Sequence, residues 1–228
     1  MSRDNQRHYF IVCSVIIEIV TPVFRQRIEK DFKSKRFGCL QDFIDSKPVK
    51  HILFHLRFQN KKCCQDSNNC KNLRVLPLNY SQWELLYTEN PGPPSKPKHH
   101  CHCLYTINNV KLDDFDITLA SLILLNCCNL TPNEEESIHK LRSFKNKHLS
   151  HNTTGAIPEK EFQILWNDLM TYVLRLDASK QDDFIMIQNR PLDESMCKDY
   201  FVRVVDFHKK FEQVSNLFSF LLNQYSMC

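Results

Sequence analysis

Apolar residues along this chain fall mostly at helical intervals, and at least five segments carry the period clearly enough to predict helices. Near the N-terminus, Tyr9, Val12, Cys13, Ile16, Val20, Val23 and Phe24 recur on one face. They predict a helix over 5–32, kinked at Pro22. Shorter helices are expected at 38–45 and, after Pro48, in VKHILFHLRF. From 59 to 112 the period fades. Asn79 and Gln82 mark a short capped helix over 80–88, and the rest reads as loop. The period returns at Leu112. Asp113 or Asp114 can cap a helix carrying Phe115, Leu119, Leu122, Ile123 and Asn126. Thr131, Pro132 and Glu134 then form a T-x-x-E capping box with proline at the first helical position. That helix runs toward Leu149, with Ile138, Leu141, Phe144 and Leu149 on one arc. Gly155 turns the following loop. Pro158 opens a helix with Phe162, Leu165, Trp166, Leu169, Val173 and Leu176 as its stripe.

After Pro191 a last helix is expected over 193–223. Its seam of Phe201, Val204, His208, Phe211, Ser215, Phe218, Leu222 and Tyr225 has near-heptad spacing. Aromatic rings, a histidine and a serine suit that seam to packing on the protein's own bundle better than to a coiled coil. Only 3 glycines among 228 residues speak against a turn-rich β protein. The expected fold is all-α: a helical bundle with a cysteine-rich loop insertion and a long C-terminal helix. The expected organisation is N-terminal helices at 1–58, a Cys/His-rich insertion at 59–111, a core at 112–178 and a helical extension at 179–228.

Charge brings in the chemistry. The net charge of +4 permits a nucleic-acid partner without demanding one. From Ser137 to Pro158 there is no acidic residue, while Lys140, Arg142, Lys145 and Lys147 accompany His139, His148 and His151. Such a stretch suits RNA phosphates, with Arg142, Lys147 and His148 as binding residues. Lys145 and His148 also fall inside the apolar arc of their helix. A cation there is costly unless paired or in a cleft, so this face is expected to border a groove or a self-complementary surface.

Eleven cysteines, an odd number in a chain this long, do not read as a secreted disulfide framework. The apolar stretch at 9–24 is interrupted by Glu18 and Pro22 and lacks a clean cleavage site. It is also too short and broken to span a bilayer. A reducing, cytoplasmic setting without a membrane partner is expected. Cys63, Cys64 and Cys70 lie before the short middle helix; Cys101 and Cys103 lie after it, interleaved with His99, His100 and His102. The two groups resemble the halves of a structural zinc site, although no C-x2-C pair is present, and unmetallated cysteines are the competing reading. His51 and His55, four apart on one helix, either share a metal or flank a buried Leu and Phe surface. Cys127, Cys128, Trp83 and Trp166 read as core. Nothing resembles a Ser-His-Asp triad, a phosphate-binding glycine loop or a dinucleotide fingerprint.

The run Lys145-Asn146-Lys147-His148-Leu149-Ser150-His151 resembles the motif of the HEPN family, small all-helical domains found in RNA-cutting and RNA-binding proteins. The helix LASLILLNCCNLTP before it and EFQILWNDL after it fit the same context, so the resemblance spans about 113–177. It is similar in particular to the HEPN domain of a DAZ-interacting zinc-finger ubiquitin ligase, a type abundant in innate-immune proteins. Lys145 stands where the motif carries Arg, Asn146 at its polar position and His151 at its histidine. The resemblance implies a homodimer in which two motifs meet. His151 would then be the acid or base, Lys145 the cation facing the developing phosphorane charge, and Asn146 a positioning group. Arg142 and His148 repeat the spacing in a second frame. Two functions are implied: an interaction module, homodimeric and engaging RNA or signalling proteins of a defence-type complex, or a metal-independent RNA endonuclease.

Overall fold

The structure, a computed structural model, describes residues 2–58, 63, 78–90, 102–150, 152 and 154–191. The described chain is mainly helical, as expected, and divides into two compact units. The first comprises the described parts of Met1–Val20 and Glu136–Cys228, the second Thr21–Glu135. These units cut across the four segments expected from sequence. The expected C-terminal helix at 193–223 lies outside the described residues.

In the first unit, α1 (Arg3–Ser14) is capped by the Ser2 hydroxyl, which accepts from the Asp4 amide. It continues as a π-helical turn, Val15–Val20. The wide turn comes just before Pro22, whose ring would collide with the carbonyl of residue 18 in an ordinary α-helix. Two further helices, α8 (Glu159–Leu176) and α9 (Gln181–Asn189), pack with α1. His8 stacks on Phe162 at 4.2 Å between ring centroids, and Trp166 meets Phe184 edge-on at 5.3 Å. Arg190 grips Glu18 through two bonds of 2.7 and 2.8 Å. The stripe predicted for α8 is its buried face, apart from half-buried Leu176. α9 falls in the expected helical extension at 179–228, although the apolar pattern marks no separate helix before Pro191. Its apolar residues, Phe184 to Ile187, are contiguous, and only Phe184 and Ile187, one turn apart, are buried.

The second unit holds α2 (Thr21–Ser34), α3 (Leu40–Asp45), α4 (Lys47–Arg57), α5 (Tyr80–Leu86) and α6 (Ile117–Cys127). α2 and α6 pack together, burying Phe24 and Ile28 on one and Leu122, Ile123 and Leu124 on the other. Asp31, buried between them, accepts from the Asn129 amide at 2.9 Å and pairs with Lys35 at 2.7 Å. Asn79 and Gln82 form the expected capping box of α5. Beyond α5 the loop expectation fails. β1 (Tyr87–Glu89) pairs antiparallel with β2 (Tyr105–Ile107), with Thr88 opposite Thr106. Strands of three residues are too short to show a period of two, so only their aromatic and β-branched content hinted at them. The cap of α6 is likewise neither Asp113 nor Asp114, which form a short 3-10 turn. Asp116 caps it, accepting from the Leu119 amide at 2.6 Å.

Among the described residues, one helical run, Arg3–Ser34, is long and apolar enough to cross a membrane by length and composition. Its Val12, Val15, Val20 and Phe24 side chains are fully buried in the protein.

Candidate functional site

The motif helix starts as its sequence dictates. The Thr131 hydroxyl accepts from the Glu134 amide, and the Glu134 carboxylate accepts from the Thr131 amide at 2.8 Å. Arg27 binds the same carboxylate at 2.7 Å. Burial raises the Glu134 carboxyl, but Arg27 and the Thr131 donors outweigh it and hold it down at about 2. α7 (Pro132–Phe144) then gives way to a π-helical turn, Lys145–Ser150. The apolar step from Phe144 to Leu149 is five residues, which suits i→i+5 winding better than an α-helix.

That turn sorts the motif residues. Lys145 is 2% exposed and His148 4%, so little of either side chain reaches solvent. The expectation of an accessible cationic face is corrected at Lys145. Burial, followed by the nearby Lys147 charge, lowers the His148 pKa and favours the neutral imidazole. Asn146 and Arg142 are half-buried. Lys147 points outward and pairs with Glu161 at 2.8 Å. His151 lies outside the described residues. The loop after the turn is built on Asn152, whose side-chain oxygen accepts from the Thr154 and Gly155 amides while Gly155 takes a φ of 61°.

A groove lies beside the turn, and of the two arc residues His148 lines it and Lys145 does not. About 470 Å³ in volume, it lies between the end of the motif helix and α8. Phe144, Ile164 and Leu165 line it together with Lys147, His148, Lys160, Glu161 and Asp168. Ile164 is 66% exposed, well above what a core isoleucine shows. The sequence did carry a signal for it: Ile164 stands off the α8 stripe, on the polar side.

A second constellation lies in the other unit. His51 and His55 occupy one face of α4, with ring centroids 4.8 Å apart. Cys63 places its Sγ 3.3 Å from His55 Nε2 and 3.4 Å from His51 Nδ1. The ligand atoms of His51, Cys63 and His102 all lie within 4.8 Å of one another. Phe54 meets His55 and His102 edge-on, and Trp83 and Tyr105 pack against Phe54. Burial first, then the His51 and Lys50 charges, lowers the His102 pKa. Of the five cysteines expected to bind metal, only Cys63 is seen in this group. Cys103 is exposed, and Cys64, Cys70 and Cys101 lie outside the described residues. The buried thiols of Cys13 and Cys127 are pushed up to about 12 by desolvation, in keeping with core roles.

The family model for DZIP3/hRUL138-like HEPN domains matches residues 58–200, more than half of the chain. The match reaches beyond the stretch that carries the motif and takes in Cys63 and His102. No curated protein and no solved structure matches the chain.

Proposed function

This chain belongs to the DZIP3/hRUL138-like HEPN family, and on that footing we propose that it is a self-associating interaction module working through the groove of α8. The observation that carries the reading is Ile164, an exposed apolar side chain between charges of opposite sign. Lys160, Ile164 and Asp168 follow at steps of four and share one face of α8. Two α8 helices crossing antiparallel at Ile164 would set Lys160 of each copy against Asp168 of the other. An isologous contact requires such self-complementarity. The test is the solution mass of the wild type beside Ile164→Glu. A wild-type dimer and a folded monomeric variant are expected; a wild type that stays monomeric at high concentration overturns the reading.

RNA binding is supported by a separate feature. His139, Lys140 and Lys147 are exposed on the stretch free of acidic residues. Binding of generic RNA should weaken steeply with salt, and Lys140→Ala with Lys147→Ala should flatten that dependence. The endonuclease alternative needs Lys145, Asn146 and His151 to reach a scissile phosphate, and a lysine this buried argues for the module instead. Metal-free cleavage of generic RNA that His151→Ala abolishes would favour the enzyme. A role in defence-type or signalling complexes rests on family analogy.

A further inference from the structure

We propose that His51, His55, Cys63 and His102 form a structural site for a divalent transition metal of the zinc class. Three donors, His51, Cys63 and His102, already converge, and His55 reaches the same sulfur through its Nε2. With metal–nitrogen bonds of about 2.05 Å and a metal–sulfur bond of about 2.3 Å, tetrahedral N···S edges measure about 3.5 Å and N···N edges about 3.4 Å. The two N···S separations to His55 and His51, 3.3 and 3.4 Å, are within about 0.2 Å of that edge. The separations within the His51–Cys63–His102 set, none above 4.8 Å, need a closure of about 1.4 Å at most.

The donor chemistry agrees. One thiolate and three imidazoles suit zinc or cobalt(II), whereas calcium and magnesium require oxygen ligands. Two histidines four apart on a helix present both rings to one point, and α4 supplies them in that spacing. His55, Cys63 and His102 are 2%, 7% and 5% exposed, His51 is half-buried, and Phe54 lies edge-on to both His55 and His102. With His55 turned in as the fourth ligand, the shell would be full and leave no position for substrate, which makes the proposed metal structural.

The placement explains why the fold would need it. Cys63 and His102 are separated by 38 residues that include the short α5 and β1. A metal joining α4, Cys63 and the 3-10 turn His102–Leu104 before β2 would offset the loop-closure entropy of that span with its binding free energy. The proposal retains Cys63 from the cysteine-based expectation and replaces its other ligands with histidines.

The test uses the full chain purified under reducing conditions without chelator. Elemental analysis should give about one zinc per chain. Cobalt(II) exchanged into the site should show tetrahedral d–d bands and a charge-transfer band with the intensity of a single thiolate. Chelation should lower the thermal midpoint, and added zinc should restore it. Cys63→Ser should lose the metal, while the triple variant Cys64→Ser, Cys70→Ser, Cys101→Ser should keep it. If Cys63→Ser fails to fold, the wild-type cobalt spectrum and the triple variant still decide. A chain that holds no zinc and takes up no cobalt overturns the site, as does a multi-thiolate cobalt spectrum or loss of metal in the triple variant. Simple thiol–imidazole hydrogen bonding would be the explanation in the first case.

Discussion

The histidine–cysteine cluster and the α8 groove hold similar inventories of titratable and apolar groups and use them in opposite ways. Around Cys63 the polar atoms converge on one another and the aromatic rings close over them. Along the groove the charges diverge around an isoleucine left in water. The first arrangement lowers the energy of one chain by burying and pairing its groups. The second leaves apolar surface uncovered, which is how contact surfaces for another molecule are built. The motif helix ends beside the groove, where Lys147 and His148 contribute to the lining while Lys145 is buried.

Truncation should separate the two regions most sharply. Phe54 is fully buried among Trp83, Tyr105 and His55, so Phe54→Ala should destabilise by ~3–5 kcal/mol. Ile164→Ala should change the stability of the monomer by no more than about 0.5 kcal/mol. Urea denaturation of both variants, run dilute enough to avoid association, checks the contrast. Similar losses at the two positions would place Ile164 in a core and break the comparison.

Next in size is the acid response of the closed unit. Glu134 titrates at about 2 in the folded chain against an ordinary value of 4.5. A depressed folded pKa gives stability that is complete above about pH 4.5 and is lost as pH falls toward 2. Glu134 and Arg27 are mostly shielded from solvent, so the loss should be ~2 kcal/mol after screening. Glu134→Gln should remove most of that slope in melts between pH 5 and 2. A slope unchanged by the substitution would assign the acid response to other carboxylates.

Smaller still are two backbone effects, one in each unit. Arg36 ends α2 in a left-handed conformation at φ 64°, with its amide bonded to the Lys33 carbonyl and Phe37 to Phe32. Arg36→Gly should gain about 0.5–1 kcal/mol. Gly155 has open space where a Cβ would go, but its φ of 61° is strained for alanine. Gly155→Ala should lose ~1 kcal/mol. The smallest effect is expected at Lys147–Glu161, an exposed pair, where Lys147→Ala should cost under about 0.5 kcal/mol. Thermal melts of the three variants give the order directly.

The helices were legible because burial and period coincide in them, and so were the caps at Asn79 and Thr131, where a side chain and an amide three residues on must meet. Other features were set by partners distant in sequence. β1 and β2 exist through each other, 15 residues of intervening chain apart. α9 hides only Phe184 and Ile187, which leaves no pattern to read. The assembly of His51, His55, Cys63 and His102 depends on where the chain returns after α5. Each residue carries a chemical hint, and only the tertiary path selects among eleven cysteines and ten histidines. The π-helical turn at Lys145 had a local sign in the five-residue apolar step, and Lys145, which the apolar arc already included, is buried there.

The central claim, that the α8 groove is a self-complementary contact, is tested most directly by a charge-exchange cycle read by sedimentation velocity. Lys160→Asp or Asp168→Lys alone should weaken the dimer, because each places like charges opposite one another twice across the two-fold axis. The double exchange, Lys160→Asp with Asp168→Lys, should restore it to wild-type affinity. A double variant no tighter than either single one, or a wild type that sediments as a monomer at every concentration, would contradict the account.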